Sequence, residues 1–164
     1  MKRIGILSSH NGSGFDTIQN ACENGILNAQ VVLVISNNSN AKVLEKAKKN
    51  NVPNFIINSK IYPNENLDEK ITNLMKEFKI DYIFLSGYMK KIEKNLIENF
   101  TNKVFIADGA KWIWNWIDDT YPNSTQIVDY FHAKEHLCEF AKDYFKDKNN
   151  CSSWIEKQDD LMLT

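Results

Sequence analysis

Apolar positions along this chain come in two patterns: short continuous runs, and stripes recurring every three or four residues. The runs predict strands and the stripes predict helices. Ile4–Ser8 is a run that ends in the loop Ser8–Gly14, after which Phe15, Ile18, Ala21 and Cys22 form a helical stripe closed by Gly25. Val31–Ser36 is almost wholly apolar and β-branched, as a strand covered on both faces requires. After the polar turn Asn37–Asn40, Ala41, Leu44 and Ala47 mark a short helix that stops near Asn50–Pro53. Phe55–Ile57 is a brief strand. Beyond the polar loop Lys60–Asn66, the residues Leu67, Ile71, Leu74, Met75 and Phe78 give the clearest helical stripe in the chain. Tyr82–Ser86 is another buried strand, closed by Gly87, and Ile92, Leu96, Ile97 and Phe100 line a fourth helix.

The rhythm continues with a strand at Val104–Ala107, a helical face of Trp112, Ile113, Trp116 and Ile117, and a strand over Gln126–Phe131. Leu137, Phe140, Ala141, Tyr144 and Phe145 then form a last strong stripe, and Ser153 is the expected cap of a final helix carrying Trp154, Ile155 and Leu161. Strand and helix alternating at this spacing predict an α/β fold, an open parallel sheet with helices on both faces.

Composition changes little in that picture. A 164-residue chain with 43% hydrophobic and 25% charged residues reads as a soluble globular protein. Its net charge of −1 gives no electrostatic reason to bind nucleic acid or a membrane, and no apolar run is long enough for a span. Cys22, Cys138 and Cys151 are too scattered for a disulfide framework. Together with a start that runs directly into a strand, without the pattern of a signal peptide, they point to a cytoplasmic protein.

Candidate chemistry begins in the loop Asn11-Gly-Ser-Gly14. Between a strand and a helix, backbone N–H groups and the helix dipole converge, and glycines allow close approach. On its own the loop reads equally as a tight turn or as a phosphate or carboxylate cradle. Taken with Val34–Glu45, Asn51-Val-Pro53 and Asp81–Lys90, residues Ile4–Ile18 resemble the glycinamide ribonucleotide formyltransferase family of purine biosynthesis, over roughly residues 3–105. The resemblance implies a Rossmann-like formyltransferase N-terminal half, here extended by further βα units. It implies that the amides of Gly12, Ser13 and Gly14 hold the phosphate of a small phosphorylated substrate of the glycinamide ribonucleotide kind. It also places Tyr88, Met89, Lys90 and Ile92 beside the site for 10-formyltetrahydrofolate, the family's co-substrate. Lys90 stands where the family has arginine and lacks the planar fork. The bland reading of Tyr88 and Met89 is packing at a strand end.

The resemblance also implies an omission. The family's next strand runs into Asn-Ile-His-Pro, whose asparagine would stabilise an oxyanion and whose histidine would assist proton transfer together with a later aspartate. This chain has Val104-Phe-Ile-Ala-Asp-Gly109 there, so no catalytic residue is assigned, and neither formyl transfer nor use of the folate donor is expected. From residue 104 to 164 the chain instead resembles a fragment of an insertion-sequence transposase with a ribonuclease H-like core, carried by Asp108–Trp114, Tyr121-Pro122 and Asp129–Leu137. That resemblance implies a metal-ligating carboxylate at Asp108 and, as an alternative reading only, a nucleic-acid partner. The expected organisation is a formyltransferase-like substrate-binding region over 1–105 joined to a transposase-like fragment over 106–164, the chain being truncated and fused; a non-functional fusion product is a further alternative.

One motif stands apart. His132-Ala-Lys-Glu-His136 matches the inverted zinc-protease pattern H-x-x-E-H. At i, i+4 both imidazoles share a helix face, but little chain remains to supply a third ligand, and no structural zinc is expected. Trp112, Trp114, Trp116 and Trp154 read as core and rim residues, since no basic patch accompanies them.

Overall fold

The computed structural model describes residues 1–107 and 109–163. They divide into two compact units, Met1–Phe100 and Thr101–Thr164. The strand Val104–Ala107 therefore belongs whole to the second unit, whereas the expected boundary after residue 105 divides it.

In the first unit, β1 (Lys2–Leu7), β2 (Ala29–Ser36), β3 (Asn54–Ile56) and β4 (Tyr82–Leu85) form a wholly parallel sheet in the order β3-β2-β1-β4. The helices α1 (Ser13–Glu23), α2 (Lys42–Lys49), α3 (Leu67–Glu77) and α4 (Lys94–Glu98) follow the four strands in turn. Strand side chains alternate between the faces. Ile4, Ile6 and Val34 pack with Phe15 of α1 and with Val43, Leu44 and Ala47 of α2. Leu7, Leu33 and Ile35 pack with Ile71 and Met75 of α3 and Leu96 of α4. Each fully buried apolar side chain of this size contributes about 1.5–3 kcal/mol, so the two clusters dominate the unit's stability. Asn66 caps α3, its side chain accepting from the Glu69 N–H at 3.1 Å. The fourth helix is shorter than its stripe suggests, and Ile92 lies in the loop before it.

In the second unit, β5 (Val104–Ala107) and β6 (Thr125–Val128) pair in parallel as a sheet of their own, linked by α5 (Lys111–Thr120). Phe105 stacks on Tyr121 at 5.4 Å between ring centres, and Trp116 meets both rings edge-on. The strand expected over Gln126–Phe131 ends earlier. Asp129 accepts from the His132 N–H at 2.9 Å and starts α6 (Tyr130–Tyr144), so a capping bond overrides the β propensity of Tyr130 and Phe131. In the same way Asp147, not Ser153, starts α7 (Lys148–Leu163), its carboxylate accepting from the Asn150 N–H. Asp159 of α7 accepts from Tyr130 and Lys134 of α6, both at 2.6 Å. Among the described residues of this unit only Ile117 and Ala141 are buried apolar positions, while Trp112 (73%) and Phe131 (77%) stay exposed.

Two outcomes follow from this packing. Phe15→Ala should destabilise the first unit by about 3–5 kcal/mol, against less than about 0.5 kcal/mol for Trp112→Ala, both read by urea denaturation. The bonds from Lys134 and Tyr130 hold the Asp159 carboxyl below its ordinary range, and those from Asp159 and Tyr130 raise Lys134. A depressed carboxyl stabilises above its unfolded pKa and loses that effect as pH falls through the folded value; the raised lysine loses its share only as pH climbs through its own folded value, above the ordinary lysine range. Asp159→Asn should therefore lower the near-ultraviolet signal of the α6–α7 aromatics at neutral pH. The difference from wild type should close in acid, below the depressed value.

Candidate functional site

Open parallel sheets place ligands in the loops beyond the carboxyl ends of their strands, and in the first unit those loops are tied together through Ser9. Its buried hydroxyl donates a short hydrogen bond to Asn37 Oδ1 and accepts from the Met89 N–H at 2.8 Å. The Ser9 N–H donates to the Gly87 carbonyl, and Asn38 Nδ2 donates to the Ser9 carbonyl. Asn58 Nδ2 adds a bond to the Asn37 carbonyl at 3.0 Å. Loops after β1, β2, β3 and β4 are thus fixed by one polar cluster.

The first candidate surface is the start of α1. Gly12 occupies the N-cap in the left-handed region (φ 66°, ψ 43°) and offers no side-chain acceptor, which leaves first-turn amides to solvent or an anion. The helix dipole favours negative charge there. Asp16, in the same turn, works against it, and its carboxylate is held by Lys46. Packing also demands both glycines. A Cβ on Gly12 would come within 2.7 Å of Val43 Cβ, and one on Gly14 would collide with Ser86 Oγ and with Phe84 Cε1 at 2.7 Å. Ser13 between them is exposed.

A second surface is a cleft of about 730 Å³ bordered by the loops after β2, β3 and β4 and the start of α3. Tyr88, Lys90 and Ile92 line it with Asn38, Asn58 and Asp68, whereas Gly12, Ser13 and Gly14 do not. Met89 is 70% exposed and enters the site through its backbone N–H alone. Burial, and next the Asp68 charge, raise the Tyr88 phenol above its ordinary pKa, so it stays a hydrogen-bond donor. The two groups of residues singled out in the sequence therefore occupy two surfaces, joined through Ser9.

Sequence reasoning missed Asp68. Only 8% exposed, its carboxylate accepts from the Glu93 and Leu96 N–H groups, both at 3.1 Å, and so caps α4 from another helix. A signal was present: Asp68 and Thr72 interrupt the buried stripe of Ile71 and Met75. Asp108 lies outside the described residues. Among the described residues no group of three or more His, Cys, Asp or Glu is placed to hold a metal. None of their helices is long and apolar enough to cross a membrane.

The family model for formyl transferases matches residues 2–109. The chain belongs to the formyl transferase family. It is 32% identical over 105 residues to the phosphoribosylglycinamide formyltransferase of Haemophilus influenzae, covering 63% of this chain and 50% of that protein. The corresponding protein of Bacillus subtilis is 28% identical over 63% of this chain and 54% of its own length. Among solved structures, glycinamide ribonucleotide transformylase 1 of Geobacillus kaustophilus superposes with a TM-score of 0.58 at 35% identity, over 62% of this chain and 54% of that one. The chain thus spans about half the length of these formyl transferase relatives, and the shared half contains the four-stranded sheet.

Asp68→Ala would leave the Glu93 and Leu96 amides, at the start of α4, without their acceptor. Loss of such a cap should cost about 0.5–2 kcal/mol, and hydrogen exchange should speed up at Glu93 and Leu96 while β1 is unchanged.

Proposed function

We propose that the first unit is the substrate-binding half of a glycinamide ribonucleotide formyltransferase-type protein, and that this chain holds a phosphorylated ligand weakly without transferring a formyl group. Membership of the formyl transferase family is the observation that carries the reading. The uncapped start of α1, at Gly12, Ser13 and Gly14, supports the phosphate assignment, because backbone amides there need no catalytic side chain. Tyr88, Lys90 and Ile92, on the cleft, and Met89, bound to Ser9, are the residues we assign to the folate side. Asp16 opposes a bound anion and makes the affinity modest. The donor, 10-formyltetrahydrofolate, is not used. Val104–Ala107 offers neither the amide nor the imidazole that formyl transfer would call on, and losing one oxyanion donor alone costs about 10²–10³ in rate.

A fusion origin for the second unit fits the division at Phe100/Thr101 and the end of the family match at residue 109. A transposase-type role there would need a nucleic-acid surface. Residues 101–164 carry seven lysines against eleven Asp and Glu, which argues against one.

Nuclear magnetic resonance titration of the full chain with glycinamide ribonucleotide tests the binding reading. The amide signals of Ser13, Gly14 and Phe15 should move in a saturable way, and glycinamide without the phosphoribosyl group should leave them in place. Unmoved signals would refute the phosphate assignment. Formyl transfer from 10-formyltetrahydrofolate above a heat-denatured control would refute the catalytic half of the proposal.

A further inference from the structure

The motif left unused by the first unit's chemistry is the histidine pair of α6. His132 and His136 sit four residues apart, and their Nε2 atoms approach to 3.1 Å with the rings at 89°. The Asp129 cap fixes the backbone on which His132 stands. His136 is exposed, and its Nδ1 faces Glu139 Oε2 at 3.4 Å. With Nδ1 turned toward Glu139, the Nε2 edge of His136 is the edge that faces His132 and a ligand.

We propose that His132 and His136 form a two-nitrogen site for an exchangeable divalent transition-metal ion, with water completing the coordination. An ion about 2.0–2.1 Å from each nitrogen would see them at an angle of roughly 100°, between the octahedral and the tetrahedral angle. One ion therefore fits both nitrogens without moving the helix. Each neutral imidazole holds the ion with its own proton on Nδ1, so that both rings present Nε2 lone pairs, and no other bond changes. Imidazole selects copper, nickel and zinc over the hard cations magnesium and calcium. Among the described residues no third protein ligand joins the pair, so the ion is exchangeable and not structural. Glu139 supplies the outer-shell carboxylate.

The test uses the full chain purified without a histidine tag and titrated calorimetrically with zinc, copper and magnesium ions. One zinc or copper ion should bind per chain, copper more tightly, and magnesium should not bind. Removing even an outer-shell partner typically costs about 10–100-fold in affinity, so loss of a direct ligand in His132→Ala or His136→Ala should cost at least tenfold. His10→Ala, which removes the remaining histidine, should bind as wild type does. Histidine ¹⁵N spectra of wild type at substoichiometric zinc give a reading that needs no variant, with the Nε2 signals of His132 and His136 moving together. Wild-type affinity in either alanine variant, equal binding of magnesium, or still Nε2 signals would overturn the proposal.

Discussion

Two adjacent strands, β1 and β2, are buried on both faces, and the first unit is arranged around that constraint. Ile4–Leu7 and Val31–Ser36 have no solvent-facing side at all. A strand so placed needs helices above and below, parallel neighbours, and crossover connections long enough to hold the helices. Chemistry is thereby pushed to the strand ends, where the chain first becomes free to use polar residues. Ser36 and Ser9 mark that transition: both are buried, and both hydroxyls hydrogen-bond a neighbouring loop residue. The Ser9 bonds to Asn37, Met89 and Asn38 tie the loop before α1 to the loops at the rim of the cleft.

The same logic gives the glycines two roles. Gly12 and Gly14 let α2 and β4 come close to α1, and Gly12 brings no side-chain acceptor to the first-turn amides. Packing alone is enough to require them. The proposed phosphate site rests on the family, whose match covers residues 2–109. Beyond it the second unit buries little: its rings pair with one another, as Phe140 does with Trp154, instead of closing over a common core.

Much of this was legible in the sequence because hydrophobic periodicity encodes burial. The runs at β1 and β2 and the stripe of α3 were all readable without coordinates, since each needs only the pattern of its own residues. Features that depend on distant partners were not. Asp68 looks like an ordinary first-turn acid until α4 arrives beside it, and Ser9 acquires its role only once three loops meet. Helix starts failed locally: Tyr130 and Phe131 read as strand because their side chains favour it, while the Asp129 cap outweighs that preference. The separation of β5 and β6 into their own sheet was also invisible, because an unbroken βα rhythm does not say which strands pair.

The first unit's doubly buried sheet carries most of the stability of this chain, and native-state hydrogen exchange over every amide tests that directly. The account expects β1 and β2 to exchange only through global unfolding, and α6 and the β5–β6 pair to open at clearly lower free energy. Protection in α6 equal to that in β1 would contradict it.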